Sequence, residues 1–184
     1  AGRCDVADKR DYRAVDHVEH IGKALLDIVE KNIAEQGGHM IGLSAQVQAM
    51  RFYEKSGFKT AKYLFLNEYE LALTIQKTGW SDAEIFSKVA VRIITLGSKG
   101  ARVEEHGKEP ITVGVPKEKF KIDPTGVGDC FRSGFVAGLA WGFNHERCAQ
   151  IGSMLATFCI EIKGTQEYRF TKVEFIERFA VAYG

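Results

Sequence analysis

Asp123-Pro124-Thr125-Gly126-Val127-Gly128-Asp129 is the stretch on which the reading of this chain turns. A strand over Lys117–Ile122 is expected before it and a helix over about Val127–Trp141 after it. Glycines between a strand and a helix let the backbone come close to a ligand, and the first N–H groups of the helix have no intrahelical partner. The helix dipole adds partial positive charge at the same end. Together these features predict an anion site suited to phosphate. Asp129 is out of place there, because its ligand would repel it. Its presence points to chemistry: a base beside a phosphate under transfer, taking the proton of an attacking hydroxyl. A plainer reading, a glycine turn whose Asp129 satisfies the dipole, stays open on spacing alone.

Working outward, strands alternate with helices. Lys62–Leu66 and Val91–Leu96 read as strands, the second apolar throughout except for Arg92 and Thr95, as in a buried parallel strand. Between them lie helices over about Tyr69–Lys77 and Asp82–Val89, the latter with Ser81 as N-cap and Glu84 three residues on. Ala101–Glu105 and Glu109–Val115 flank His106-Gly107-Lys108 as a hairpin. Glu146–Ile162 is amphipathic, and Thr171 caps a last helix with Val173, Ile176, Phe179 and Ala180 as its buried stripe. Upstream, helices over 18–35 and 46–56 bracket a short strand at His39–Ser44. The fold expected is α/β, three layers (α/β/α) around a mostly parallel sheet, plus a short β-hairpin.

Composition narrows the function classes. The 184 residues carry 25 basic and 24 acidic side chains, a net charge of +1, which argues against a nucleic-acid footprint. No apolar run reaches the roughly 20 residues of a membrane helix. The longest candidate, Val127 to Phe143, contains Asp129 and Arg132. The charged first 20 residues give no secretory signal, so a cytoplasmic location is expected. Cys4, Cys130, Cys148 and Cys159 show no CxxC spacing and read as reduced thiols. His17, His20 and His39 lack the companions of a metal site.

Read on to Gly138 as D-P-T-G-V-G-D-C-F-R-S-G-F-V-A-G, the central stretch resembles the C-terminal signature of the ribokinase-like (PfkB) sugar and nucleoside kinases. Asn67-Glu68-Tyr69-Glu70 resembles the N-x-x-E motif of that family. Thr95-Leu96-Gly97-Ser98-Lys99-Gly100-Ala101 resembles its nucleotide-contacting strand and loop. Gly164-Thr165-Gln166-Glu167-Tyr168 is most similar to bacterial adenosine-kinase-like members. The resemblance runs from about Ala61 to Gly184 and implies ATP and Mg²⁺ as cofactors. It implies that Asp129 is the catalytic base and that the N–H groups of Gly126, Val127 and Gly128 form the anion hole. It implies that Asn67 and Glu70 order Mg²⁺ through water, and that Thr95, Gly97, Ser98 and Gly100 meet the nucleotide. The same family carries its acceptor residues and a sheet-like lid in the N-terminal half of a chain of ~300 residues, and residues 1–60 do not read as that half.

Residues 20–60 instead resemble the C-terminal half of a GNAT-type acetyltransferase. Ile21-Gly22-Lys23-Ala24-Leu25-Leu26 is similar to the start of its acetyl-CoA helix, and Gly42 to Phe58 (GLSAQVQAMRFYEKSGF) is similar to its closing segment. By that resemblance Tyr53 is a general acid toward the departing thiolate. The pyrophosphate loop departs from the pattern: His20 stands in place of a glycine, and Glu19 adds negative charge. The chain therefore reads as two C-terminal halves, 1–60 and 61–184, joined near Thr60–Ala61 as a chimera. Alternatively, the first piece lends a strand and covering helices to the sheet of the second, making one merged domain.

The function expected is ATP-dependent phosphoryl transfer to a hydroxyl of a sugar or nucleoside, with small-molecule partners only: a nucleotide and its acceptor, no nucleic acid and no membrane. Two alternatives accompany it. One is a nucleotide-binding module or chimera without turnover, and the other an acyl-CoA-binding remnant.

Overall fold

The computed structural model describes residues 62–184. The expected strand at His39–Ser44, the two upstream helices, Tyr53 and the 1–60 piece lie outside the described residues. Four strands form one sheet in the order β1 (Tyr63–Asn67), β2 (Val91–Thr95), β3 (Ala101–Glu105), β4 (Ile111–Val113). The helices are α1 (Glu68–Thr78), α2 (Asp82–Ser87), α3 (Val127–Ala140), α4 (His145–Ile160) and α5 (Lys172–Tyr183). None of them is long and apolar enough to cross a membrane.

The α/β class is as expected, but among the described residues the sheet is mixed. β1 and β2 are parallel, whereas β2–β3 and β3–β4 are antiparallel. Connection length is the cause. A parallel pair needs a crossover of a dozen or more residues, which α1 and α2 supply between β1 and β2. The link Leu96–Gly100, a short 3₁₀ turn over Gly97–Lys99, can only turn the chain back.

Alternation along the strands builds the layers. Val91, Ile93, Ala101, Val103 and Val113 face one way and pack against Phe131 and Phe135 of α3 and Cys148 and Ala149 of α4. Arg92 and Glu104 face the other way, toward α2. Arg92 is 2% exposed, yet its charge is answered on both sides. Its Nη1 and Nη2 donate to the Asp82 carboxylate at 2.8 and 3.0 Å, and its Nε donates to Glu104 at 2.6 Å. The arginine that interrupts an apolar strand is therefore a clamp between sheet and helix, since a buried charge survives only when paired and hydrogen-bonded.

Two other expectations are corrected. Lys117–Ile122 is not a strand. Its backbone donors go to the end of α4 instead: Lys119 N–H to Glu161 Oε1 at 2.7 Å and Ile122 N–H to the Ile160 carbonyl at 2.9 Å. With those groups satisfied no ladder is required, and Phe120 is left 66% exposed. In α5, Val173, Ile176 and Ala180 face solvent. The packed line is the aromatic series Phe175, Phe179 and Tyr183 at four-residue spacing, the first pair stacked and the second tilted at 58°, with Phe175 also against Phe158 of α4. Large flat rings bury more area per turn than the aliphatic residues they displaced.

The helices that carry the glycine turn are held unusually close. A Cβ on Gly134 of α3 would lie 2.8 Å from the Gly152 Cα of α4, and one on Gly152 would lie 2.6 Å from the Phe131 carbonyl oxygen. Only hydrogen fits at this crossing. The turn itself is tied down from behind. Asp123 accepts the Thr125 N–H at 2.9 Å and the Gly164 N–H at 3.0 Å. A hydrogen bond from the Thr125 side chain, with these two amides, holds its carboxyl down to about 2, from 3.8.

Two outcomes follow. Gly134→Ala should force the crossing apart at a cost of about 1–3 kcal/mol, seen as a lower urea midpoint with an unchanged slope; an unaltered midpoint would show that the helices can spread freely. Asp123 has a folded pKa below its unfolded value, so its contribution is complete above about pH 4 and disappears as pH falls through about 2. Wild type should therefore be more stable than Asp123→Asn at neutral pH, with the gap closing between about pH 4 and 2; a pH-independent gap in acid-unfolding curves would show that the carboxylate's charge is not what holds the turn.

Candidate active site

Gly126 begins α3 in the left-handed region, φ 79°, and a Cβ there would meet the Thr165 side chain at 2.9 Å. It contributes no capping side chain. Val127 N–H makes a 3.3 Å turn bond to the Pro124 carbonyl, and Cys130 N–H is the donor that closes the first helical ring, on Gly126 at 2.9 Å. The N–H groups of Gly128 and Asp129 therefore stand in the first turn without an intrahelical acceptor. No heavy atom lies within 4 Å of the Cβ position of Gly128. An anion can approach these amides, and the dipole of a fourteen-residue helix favours it. Asp129, on the same turn, presents a side chain that is 79% exposed.

The other sequence-expected residues sit at the carboxyl ends of the parallel strands, where α/β sheets bind their ligands. Asn67 ends β1 and pairs in register with Thr95, which ends β2. Asn67 Oδ1 accepts the Glu70 N–H at 2.7 Å, and Glu70 Oε2 accepts the Asn67 N–H at 2.9 Å. This reciprocal capping box starts α1. Thr95 Oγ1 donates to the Leu66 carbonyl at 3.4 Å. Gly97 has φ 59° with open space at its Cβ position, and Ser98 is exposed beside it. Gly100 closes this loop. A Cβ there would fall 1.9 Å from the Val113 carbonyl oxygen, so its smallness serves the packing of the loop on β4.

Arg132 joins the two halves of the site, and the sequence reading assigned it no role. Its Nη1 lies 3.1 Å from Asp129 Oδ1 and its Nη2 lies 3.5 Å from Glu70 Oε2. The signal was present in the three-residue spacing from Asp129, which puts both side chains on one helix face. A cleft of about 550 Å³ was also missed. It is lined by Gly114, Val115, Pro116, Val181 and Tyr183 together with the charged Lys117, Glu177 and Arg178, and it adjoins the Gly97–Gly100 loop through Gly114. Its walls come from a loop and two helices distant in sequence. Tyr183 donates to the Gly114 carbonyl at 2.6 Å, and burial pushes its hydroxyl up to about 12.

Behind the turn, Cys130, Cys148 and Cys159 are buried free thiols. Burial, with Cys130 alongside, pushes Cys159 up to about 12, and its sulfur lies 3.6 Å from the Thr125 carbonyl. Among the described residues no three His, Cys, Asp or Glu side chains converge as a metal cage. Glu70 is the carboxylate at hand beside the phosphate end. Its Oε2 is engaged by Asn67 and Arg132, and its partly exposed side chain leaves Oε1 for water. That donor set suits a hydrated divalent ion carried mainly by phosphates, which is how Mg²⁺ is usually held.

Comparison with known proteins bears on the same residues. The pfkB family of carbohydrate kinases matches residues 20–171. The nucleoside kinase of Methanocaldococcus jannaschii is 33% identical over 116 residues, 63% of this chain and 38% of that protein. The adenosine kinase of Schizosaccharomyces pombe is 29% identical over 133 residues, 69% of this chain and 35% of that protein. The solved structure of the Burkholderia thailandensis nucleoside kinase in complex with ADP-inosine is similar at a TM-score of 0.66 and 34% identity, over 73% of this chain and 41% of that one. The chain thus spans less than half the length of these relatives. The family match begins at residue 20, so it runs through the acetyltransferase-like segment and across the junction at Thr60–Ala61, and the comparisons lend the two-piece reading no support. A match of that extent decides membership: the chain belongs to the pfkB family of carbohydrate kinases.

Proposed function

We propose that this chain serves ATP-dependent phosphorylation of a hydroxyl on a sugar or nucleoside. The observation that carries the proposal is the uncapped first turn of α3, open at Gly128, with the exposed carboxylate of Asp129 on the same turn. The N–H groups of Gly126 and Gly128, with that of Val127 once its long 3.3 Å turn bond to the Pro124 carbonyl is released, would hold the γ-phosphoryl oxygens as charge spreads over them. Asp129 would accept the acceptor's hydroxyl proton as that oxygen bonds to the γ-phosphorus. The bond from phosphorus to the bridging oxygen breaks, and ADP leaves.

Thr95, Gly97 and Ser98 would flank the nucleotide, with Gly100 shaping their loop, and the cleft beside Gly114, with both apolar and charged walls, lies next to that loop. Asn67 and Glu70 would face Mg²⁺ through water, and the ion would supply charge neutralisation at the phosphates. A nucleoside acceptor is favoured by the relatives: a nucleoside kinase from Methanocaldococcus jannaschii, and one from Burkholderia thailandensis solved with ADP-inosine. The buried free thiols agree with residence in the reducing cytoplasm. The acyl-transfer reading of Tyr53 rests on sequence resemblance and is separable by titration: heat with acetyl-CoA would support it, whereas heat with ADP and Mg²⁺ alone supports the kinase reading.

Asp129→Asn should lower acceptor-dependent ADP release by about 10²–10⁴-fold while leaving ATP affinity equal or tighter, because the amide cannot take the proton and carries no charge. Initial rates with inosine, adenosine and ribose, paired with calorimetric ATP titration, measure both. Intact turnover with lost binding would make Asp129 a structural cap. Binding without any acceptor-dependent turnover in wild type would leave a nucleotide-binding module.

A further inference from the structure

An acid beside an anion site needs a counter-charge. Arg132 lies one turn along α3 from Asp129, and helical side chains lean back toward the N-terminus, so its guanidinium returns over the first turn. A cation at the positive end of a helix is disfavoured by the dipole. Two carboxylates keep it there: Asp129 at 3.1 Å and Glu70 at 3.5 Å. Glu70 is itself fixed by the Asn67 N–H at 2.9 Å. A continuous line of polar contacts therefore runs from the cap of α1 to Asp129. The Arg132 side chain is 27% exposed and that of Asp129 79%, so the arginine is the anchored member and the aspartate the presented one.

We propose that Arg132 is the counter-ion and positioning residue of Asp129: it offsets the carboxylate charge so that a nucleoside triphosphate can bring its terminal phosphate to the amides of α3. The proposal rests on the kinase reading. A diphosphate lacks the group that would lie nearest Asp129, so the counter-ion matters more for ATP than for ADP. Without Arg132 the terminal phosphate meets an uncompensated carboxylate.

Calorimetric titration of the full chain with ATP–Mg²⁺ and with ADP–Mg²⁺ tests this, together with a melting curve for each variant. Arg132→Met should weaken ATP about tenfold and ADP by less than about threefold, from repulsion between close charges at a partly screened site. Asp129→Asn combined with Arg132→Met should bring ATP affinity back within about threefold of wild type, since the charge to be offset has gone. Arg132→Lys keeps a point charge and should retain ATP affinity within about threefold although it cannot fork to both carboxylates. It carries the test if Arg132→Met does not fold. Equal ATP affinity in wild type and Arg132→Met overturns the counter-ion role and leaves the kinase reading standing, as does a double variant as weak as Arg132→Met. Loss of ATP affinity in Arg132→Lys as deep as in Arg132→Met also overturns it. A wild-type chain that binds neither nucleotide overturns the kinase reading and the proposal with it.

Discussion

The contact between Gly134 and Gly152 fixes how near α3 can come to α4, and the geometry of the site follows from that distance. With backbone against backbone at this point, the two helices settle as a unit on the Val91, Ile93, Ala101 and Val103 face of the sheet. The direction of α3 is then set, and with it the direction in which the amides of Gly128 and Asp129 open. Asp123 and Thr165 steady the turn from the other side. A larger residue at the crossing would act on the first turn of α3 without touching it. Positioning of this kind is felt strongly by group transfer, where small displacements of reacting atoms change rates by large factors.

Much of this was legible in the sequence, for identifiable reasons. The α2 start was read from local code, Ser81 with Glu84 three residues on; Asn67 with Glu70 begins α1 by the same code, although the sequence reading took that pair only as the N-x-x-E motif. The hairpin was marked by a glycine between two β-rich runs. The start of α3 was marked by the glycines Gly126 and Gly128 ahead of a helical run. The errors came where a segment's fate depends on partners elsewhere in the chain. Lys117–Ile122 has strand composition, but its donors find Glu161 and the Ile160 carbonyl, some forty residues on. The aliphatic residues of α5 have helical spacing and so do its aromatics. Only the presence of Phe158 on α4 decides which set turns inward. The sheet was expected to be mostly parallel because strands alternate with helices and β2 is apolar apart from Arg92 and Thr95, yet the short Leu96–Gly100 link turns the chain back. Arg132 was visible, but a charge at i+3 on a helix is ordinarily a solvated partner, and its second carboxylate comes from a different layer.

Arg92 and Arg132 show the same physics at different depths. Arg92 lies between the sheet and α2, saturated by Asp82 and Glu104, and does nothing but join layers. Arg132 lies at the mouth of the site with its own side chain 27% exposed, against 3% for Arg92. Water and incoming anions can compete for the second and not for the first. That difference separates a structural ion pair from one that a ligand can rearrange.

The capping box at Asn67 and Glu70 has a consequence for inheritance. The side chains that resemble the family's N-x-x-E motif also begin α1, by two hydrogen bonds that need no nucleotide. Drift at either position is opposed by helix fraying before any question of turnover arises. A descendant that had lost its catalytic role would go on showing the motif, because folding alone retains it. Asp129 has no such second employment: its side chain reaches Arg132 and otherwise solvent. Of the two motifs, the carboxylate on α3 is the one that would be first to disappear from a lineage that no longer used it.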